Sequence, residues 1–193
     1  MVKAKTSPLV LTIGHSTRPM ETFIRLLQAH GVAGVVDVRT IPRSRHNPQF
    51  NADSLPASLK AAGIRYRHMP GLGGLRHTTA ASINTGWRNS SFRGFADYMQ
   101  TPEFERALEA LIKLAARRRL ALMCAEAVPW RCHRSLIADA LLARNLPVEH
   151  IMSLTRRQSH ALTPFAKVRG CRITYPPDTR APPESAKSRS GAD

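Results

Sequence analysis

The sequence predicts one α/β domain, Rossmann-like and built in three layers around a mainly parallel sheet. Apolar runs typical of buried strands alternate along the chain with segments of helical periodicity. This alternation is typical of a parallel sheet with helices on both faces. The length of 193 residues suits a single core. We expect a flexible N-terminus over 1–8, the domain over 9–175 and a disordered, basic polar tail over 176–193.

Each element follows from a local pattern of apolar residues and turn-forming residues. The predicted strands cover Leu9–Ile13, Val32–Val38, Ile64–Met69, Leu120–Cys124 and Val148–Leu154. The predicted helices run from near Pro19 to Gly31, over Asn51–Ala62, onward from Thr101-Pro102, and through Leu136–Leu141. The polar stretch up to Arg93 is expected to be a loop with one short helix. Val148–Leu154 is expected to be the final strand.

The charge of the chain is strongly positive, with a formal net charge of +16. Between Arg39 and Phe95 the only acidic residue is Asp53, whereas arginine recurs throughout the stretch. Such an excess favours polyanionic partners, and arginine suits two-pronged contacts with phosphate or carboxylate. An anionic small molecule or a nucleic acid is therefore the expected partner. The alternative is that these arginines are merely solvated.

Cysteine usage and hydropathy indicate the compartment. The three cysteines, Cys124, Cys132 and Cys171, are odd in number and not densely spaced, so a disulfide framework is not expected. The apolar run near the start is too short for a signal peptide, and no segment is long enough to span a membrane. We expect a cytoplasmic protein without a membrane partner.

The densest group of chemically useful residues follows the strand that ends at Cys124. Cys124-Ala125-Glu126 leads through a loop to Cys132-His133-Arg134 at the start of a helix. A helix start and an arginine favour anion binding, and the same positive field would activate a thiol. Cys124 is either reactive or a buried structural residue. Glu126 is either a general acid or base, or the ion-pair partner of Arg134 or of Arg131.

The same residues raise the question of a metal. Cys124, Cys132 and His133 could be ligands, but the paired C-x-x-C spacing typical of zinc sites is missing. We therefore predict no metal site and leave the cofactor open.

A second group of polar residues lies at the ends of the first two strands. Asp37 and Arg39 end the second strand, with Ser44 close behind, while His15 and Ser16 follow the first strand. Asp37 could hold a ligand hydroxyl, act as a base, or anchor Arg39. Because ligands collect beyond the carboxyl ends of parallel strands, we expect both groups to share one pocket.

Several of these motifs together resemble one family in order and spacing. They are Ile13-Gly14-His15-Ser16, Asp37-Val38-Arg39 with Pro42 and Ser44, Leu72-Gly73-Gly74, Cys124-Ala125-Glu126, Cys132-His133-Arg134 and His150-Ile151. In these motifs, and in its late His160 and Pro164, the chain resembles the domain of unknown function 488 (DUF488) family from about Leu9 to Tyr175. The resemblance implies a bacterial or archaeal cytoplasmic α/β domain. It implies no substrate, reaction or catalytic role.

These observations lead to one functional hypothesis with two alternatives. The chain is predicted to be an enzyme acting on a phosphate-bearing, nucleotide or nucleic-acid substrate. The predicted catalytic residues are Cys124, Glu126 and His133. The predicted ligand-binding residues are His15, Ser16, Asp37, Arg39, Ser44, Cys132 and Arg134. The alternatives are a non-catalytic nucleic-acid-binding module, whose affinity would fall steeply with salt, and a sensor of a small anionic ligand. The oligomeric state stays open.

Overall fold

The computed structural model describes residues 8–177, which contain eight strands. The strands are β1 Val10–Gly14, β2 Gly34–Asp37, β3 Arg65–His68, β4 Leu120–Cys124, β5 Val148–Ile151, β6 Arg157–Ser159, β7 Lys167–Arg169 and β8 Arg172–Thr174. Six of them form one sheet in the order β3-β2-β4-β1-β5-β6. Strands β1 to β5 are parallel, and β6 pairs antiparallel with β5. Strands β7 and β8 form a separate antiparallel hairpin.

Five α-helices connect these strands. They are α1 Met20–Ala29, α2 Leu55–Ala61, α3 Ser90–Tyr98, α4 Pro102–Ala115 and α5 Arg134–Leu142. Two of the helix starts show why the sequence begins a helix there. The Asn89 side chain accepts the backbone N–H of Ser91 at 2.9 Å, and Thr101 Oγ1 accepts that of Phe104 at 3.3 Å. Both contacts satisfy N–H groups that a helix start leaves unpaired.

The helices cover the sheet on both faces, which makes three layers. Successive strand residues alternate between two apolar clusters, as the two-residue period of a strand requires. Leu11, Val35 and Met123 pack in the cluster that holds the buried residues of α1 and α2. Their neighbours in sequence, such as Val10 and Val36, pack in the cluster with those of α4 and α5. The single α/β domain with a mainly parallel sheet is therefore confirmed.

The structure differs from the prediction mainly near its C-terminal end. The fifth strand stops at Ile151, because the chain turns back through hydrogen bonds from Met152 and Ser153 to the Arg156 carbonyl. The prediction of Val148–Leu154 as the final strand is wrong, since β6 to β8 follow. Every residue of β6 and β7 is exposed, so neither strand carries an apolar pattern. Helix α2 also begins at Leu55, four positions later than predicted.

Two boundary predictions fall mostly beyond the described part of the chain. Residues 1–7 and 178–193 lie outside the described residues, so neither the flexible N-terminus nor the disordered, basic tail is tested. At the other side of the tail boundary, Tyr175 is buried. Its side chain donates a hydrogen bond to Asp139 at 2.8 Å. Within residues 8–177, no helix has the length and apolarity that crossing a membrane requires.

The strand register brings the polar strand ends together. Gly14 at the end of β1 pairs with Cys124 at the end of β4. Asp37 at the end of β2 pairs with Met123. Because these strands are parallel, the residues that follow them emerge at one edge of the sheet, where ligands collect in such folds.

Candidate functional site

A pocket of about 450 Å³ opens at this edge of the sheet. Seven of the predicted site residues line it: His15, Arg39, Ser44, Cys124, Glu126, Cys132 and His133. Three others, Ser16, Asp37 and Arg134, are not among its lining residues. The structure therefore brings the end of β2 and the loop after β4 to a common pocket.

Asp37 anchors Arg39 at the back of this pocket. Arg39 Nε lies 2.9 Å from Asp37 Oδ1, and Arg39 Nη2 lies 2.6 Å from Oδ2. Asp37 is fully buried and also accepts the Tyr66 hydroxyl at 2.9 Å. With these bonds and one from the Arg39 backbone N–H at 3.0 Å, the carboxylate is fully engaged. Of the three roles open to Asp37, the geometry fits the anchoring of Arg39.

Arg39 in turn presents one donor to a ligand. A guanidinium has five N–H groups. Those of Nε and Nη2 are taken by Asp37 and by the Phe50 carbonyl, and Nη1 contacts His15 Nε2 at 3.3 Å. No residue within 8–177 accepts the fifth. Since Arg39 lines the pocket, this N–H is available to an anion there.

His15 is held as a neutral ring. Its Nε2 faces a guanidinium donor and must accept, so the proton lies on Nδ1, which donates to the Ser16 carbonyl at 2.8 Å. Burial lowers the pKa of His15 to about 4, and the Arg39 charge acts in the same direction. The ring stacks on Phe50 with the centroids 4.2 Å apart. His15 therefore shapes the wall of the pocket without adding charge.

The two cysteines in the pocket are not equivalent. Arg134 Nε donates to Cys132 Sγ at 3.4 Å, and His133 Nδ1 lies 3.7 Å from the same sulfur. A hydrogen bond from the Cys124 thiol, with the His133 contact and the Arg134 charge, holds the pKa of Cys132 well below its usual range. The same contact and burial raise the pKa of Cys124. Of the two cysteines, Cys132 is therefore the one whose surroundings favour the thiolate form.

The buried Arg134 explains why a thiolate is stable here. Arg134 is 1% exposed, and a buried charge is costly unless it is paired. Its side chain contacts Cys132 Sγ, Thr12 Oγ1 and the Glu126 carbonyl oxygen. No carboxylate in the described chain forms an ion pair with it. The Cys132 thiolate supplies the countercharge that Arg134 otherwise lacks.

His133 is oriented to exchange a proton with Cys132. Its Nε2 lies 2.9 Å from the Val38 carbonyl oxygen, which can only accept, so Nε2 carries a proton. Nδ1, which lies 3.7 Å from the Cys132 sulfur, is then the ring atom that can exchange a proton with it. Gly74 leaves room for this arrangement, because a Cβ there would lie 2.4 Å from His133 Nδ1.

The sequence model of the family described as domain of unknown function DUF488 matches residues 19–141, more than half of the chain. The chain belongs to the DUF488 family. The match includes Asp37, Arg39 and the segment from Cys124 to Arg134, whereas His15 and His150 lie outside it. No curated protein and no solved structure matches the chain.

Two predicted residues of this DUF488 protein have positions other than those expected. Arg134 is 1% exposed, is not among the lining residues of the pocket and contacts Cys132 from behind it. The first-turn N–H groups of Ser135 and Leu136 are bonded to the Cys132 and His133 carbonyls, which reduces the donors that the start of α5 can offer an anion. Of Glu126, it is the backbone carbonyl that accepts Arg134, while its side chain is exposed at the mouth of the pocket.

The two predicted serines, Ser44 and Ser16, form hydrogen bonds with backbone groups. Ser44 Oγ accepts the Asn47 N–H at 3.1 Å at the pocket rim. Ser16 adopts a left-handed conformation with φ 50 and donates its N–H to the Ala125 carbonyl. It fixes the loop after Cys124 against the end of β1.

The sequence did not predict a largely buried chain of hydrogen bonds that lies behind Arg134. It runs from Arg134 through Thr12, His150 and His160 to Asp139, with separations of 3.2, 2.8, 3.1 and 2.8 Å. At one end Arg134 can only donate, so Thr12 accepts from it. Burial lowers the pKa of His150 to about 4. The chain orients Thr12, which orients Arg134.

The pocket rim carries two further cations that the site prediction left out. Arg43 and Arg131 are exposed and line the pocket together with Arg39. Glu126 is its one acidic lining residue. Arg131 lies one position from Cys132, but spacing alone could not show that it faces the same pocket as Arg43. The rim therefore carries more positive than negative charge, in the same pocket that Cys132 lines.

The cluster of two cysteines and a histidine also meets a minimal requirement for a metal site. One donor atom from each of Cys124, Cys132 and His133 lies within 4.8 Å of the others. The bond from His133 Nε2 to a backbone carbonyl is one that metal-bound histidines commonly make. The absence of a metal site stays a prediction from the sequence.

Proposed function

We propose that this DUF488 protein is a thiol-dependent enzyme that acts on a small phosphate-bearing substrate, with Cys132 as the nucleophile. The observation that carries the proposal is the placement of Cys132 Sγ 3.4 Å from the buried Arg134 Nε, in the wall of a positively charged pocket. The thiolate is the reactive form of cysteine, and neighbouring cations make it available at neutral pH. This proposal moves the nucleophile from Cys124, the sequence-based candidate, to Cys132.

The proton-exchanging groups around Cys132 support a nucleophilic role for this residue. The Cys132 thiolate, whose proton lies on His133 Nδ1, attacks the phosphorus atom. The bond from phosphorus to the leaving oxygen breaks, and His133 returns its proton to that oxygen. Water, deprotonated by His133, next displaces the thiolate from phosphorus and releases inorganic phosphate. Glu126, at the mouth of the pocket, is the second candidate for exchanging a proton with the leaving group.

The charges at the rim support a phosphate-bearing substrate. Arg39 offers one N–H that no described residue accepts, and the exposed Arg43 and Arg131 can turn toward a ligand. Guanidinium groups suit phosphate oxygens, because they present paired donors in one plane. The thiolate itself repels an anion, so these cations are required on the substrate side of the sulfur.

The dimensions of the site favour an enzyme over a nucleic-acid-binding module. A pocket of about 450 Å³ fits a small ligand. Nucleic-acid binding without catalysis requires neither a thiolate nor a histidine facing it. The net charge of +16 is the observation that favours nucleic acid as a second candidate. In that case the pocket would take one nucleotide or a terminal phosphate.

Turnover of phosphate esters tests the proposal. Purified protein is assayed with p-nitrophenyl phosphate and a panel of nucleotides, beside Cys132→Ser and the exposed control Cys171→Ser. We expect turnover in the original and control proteins and none in Cys132→Ser. Glu126→Gln should lower the rate while the chain stays folded. Absence of turnover with every ester, or full activity in Cys132→Ser, would refute the enzyme.

Substrate affinity tests the role of the rim. Arg43→Ala should weaken binding of inorganic phosphate, measured by calorimetry, whereas Arg106→Ala on the exposed face of α4 should not. Both variants remove one positive charge, so a difference between them reports location rather than net charge. Equal effects would indicate diffuse attraction and favour the nucleic-acid alternative.

A further inference from the structure

We infer that Cys124 and Cys132 form a reversible disulfide when the protein meets hydrogen peroxide or an organic hydroperoxide. Cys132 is the residue oxidised first, and Cys124 is the thiol that resolves the oxidised product. The inference rests on the same Cys132 thiolate as the proposed function, but it does not depend on any phosphate substrate.

The two thiols are neighbours in space although seven residues separate them in sequence. Cys124 ends β4 and Cys132 precedes α5. Their sulfur atoms lie within 4.8 Å of each other. A disulfide has an S–S distance of about 2.05 Å, so side-chain rotation must close the remaining gap.

A small oxidant can reach both sulfur atoms. Cys124 is 8% exposed and Cys132 is 3% exposed, yet both line the 450 Å³ pocket. The third cysteine, Cys171, is exposed elsewhere on the β7–β8 hairpin and does not line this pocket. Its replacement by serine therefore removes ordinary surface-thiol reactivity without changing the lining of the pocket.

The chemistry balances in two steps. In the first, the Cys132 thiolate attacks one peroxide oxygen, the O–O bond breaks, and Cys132 becomes a sulfenic acid while hydroxide or alkoxide leaves. In the second, the Cys124 sulfur attacks the Cys132 sulfur, the S–O bond breaks, and water leaves with the Cys124 proton. The two sulfur atoms lose two electrons in total, and the hydroperoxide gains them.

The unequal surroundings of the two thiols set their order of reaction. Arg134 and His133 contact Cys132, whereas the Cys124 thiol faces Cys132 itself. A thiolate attacks peroxide far faster than a thiol does, so Cys132 reacts first. The neighbouring Cys124 then intercepts the sulfenic acid before a second oxidant molecule arrives.

Peptide mapping by mass spectrometry tests the inference. Reduced Cys171→Ser protein is treated with stoichiometric hydrogen peroxide, and the same treatment is given to Cys124→Ser and Cys132→Ser, each made in the Cys171→Ser background. We expect the first protein to lose two hydrogen atoms, to yield a peptide pair joined through Cys124 and Cys132, and to revert with dithiothreitol. Cys124→Ser should instead accumulate a sulfenic acid on Cys132 that dimedone traps. Cys132→Ser should give no dimedone adduct.

Several results would overturn the inference. These are progression of Cys132 to sulfinic acid while Cys124 is present, adduct formation on Cys124 in Cys132→Ser, or thiols that react only after a chelator removes a metal ion. Circular dichroism checks folding, and Cys124→Ala replaces Cys124→Ser if the hydroxyl destabilises the core. Loss of the disulfide with phosphate-ester turnover intact refutes this inference alone. A disulfide in a protein that turns over no ester refutes only the proposed enzyme.

Discussion

The Nε atom of Arg134 lies 3.4 Å from the Sγ atom of Cys132, on a side chain that is almost completely buried. The pair joins a cation without a carboxylate partner in the described chain to a sulfur that can carry the missing negative charge. The position of this contact depends on several parts of the fold. The parallel sheet creates the pocket, the start of α5 and the turn before it place the two residues, and the hydrogen-bond chain from Asp139 orients the arginine.

Replacing Arg134 should make Cys132 less reactive. Arg134→Met removes the donor at Cys132 and the countercharge, so the pKa of Cys132 should rise. Alkylation at neutral pH, followed by mass spectrometry, should slow by roughly tenfold. Arg134→Lys keeps the charge but loses the planar guanidinium, so its alkylation rate should lie between those of the original protein and Arg134→Met. An unchanged alkylation rate in Arg134→Met would show that Arg134 does not activate Cys132.

Replacing Asp37 should destabilise the fold. Asp37→Asn leaves the buried Arg39 without its two-pronged partner, and breaking such a pair costs about 3–5 kcal/mol. Urea denaturation measures the free energy of unfolding. The matched control is Glu103→Gln, which breaks the exposed pair with Arg106 and should change little. Similar effects of the two substitutions would contradict the anchoring role.

The stability of the protein should fall in mild acid. Burial lowers the pKa of His15 and of His150 from 6.5 to about 4 in the folded chain. Between these pH values the unfolded chain binds protons that the folded chain does not, so the free energy of unfolding decreases as the pH falls from 6.5 toward 4. Above 6.5 these two histidines contribute no pH dependence.

The contribution of His150 to this decline can be measured by substitution. Urea midpoints are recorded from pH 7 to pH 4 (roughly the span between the pKa of a histidine in the unfolded chain and that in the folded chain) for the original protein and for His150→Gln. The variant should show a shallower decline, whereas the exposed control His77→Gln should show the original slope. Equal slopes in all three proteins would mean that His150 is not held neutral.

Tyr175 should contribute to stability although it lies beyond the family match. Its hydroxyl donates to Asp139, and losing a hydrogen bond to a charged group costs about 1.5–3 kcal/mol. Tyr175→Phe should lower the free energy of unfolding by about that amount. Val168→Ala on the exposed hairpin is the control. A negligible effect of Tyr175→Phe would exclude the segment after β8 from the cooperative domain.

The fold was predictable because the central strands bury both faces and are therefore mostly apolar. The run Leu120–Cys124 is fully buried, as its composition indicates. Strands β6 and β7 were not predictable, because every one of their residues is exposed. Their strand geometry depends on backbone pairing and leaves no mark on residue type.

The site was predictable as a location and less so as chemistry. Residues that follow parallel strands must emerge at one edge, so the convergence of Arg39 and Cys124 follows from the order of elements. The direction of Arg134 does not, because either face of α5 could have received it. The orientation of His133 depends on the Val38 carbonyl, 95 residues away in sequence, which spacing cannot reveal. For this reason we propose Cys132 as the nucleophile, whereas the sequence pointed to Cys124.

The central claim is that Cys132 is a thiolate at neutral pH, and the pH dependence of its alkylation tests this most directly. Reduced protein reacts with iodoacetamide from acid to alkaline pH, and mass spectrometry resolves the rate at each cysteine. The account predicts that Cys132 reacts fastest and keeps a constant rate well into mild acid, whereas the rate at Cys171 rises with pH. Parallel rises at Cys132 and Cys171, or faster reaction at Cys124, would contradict it.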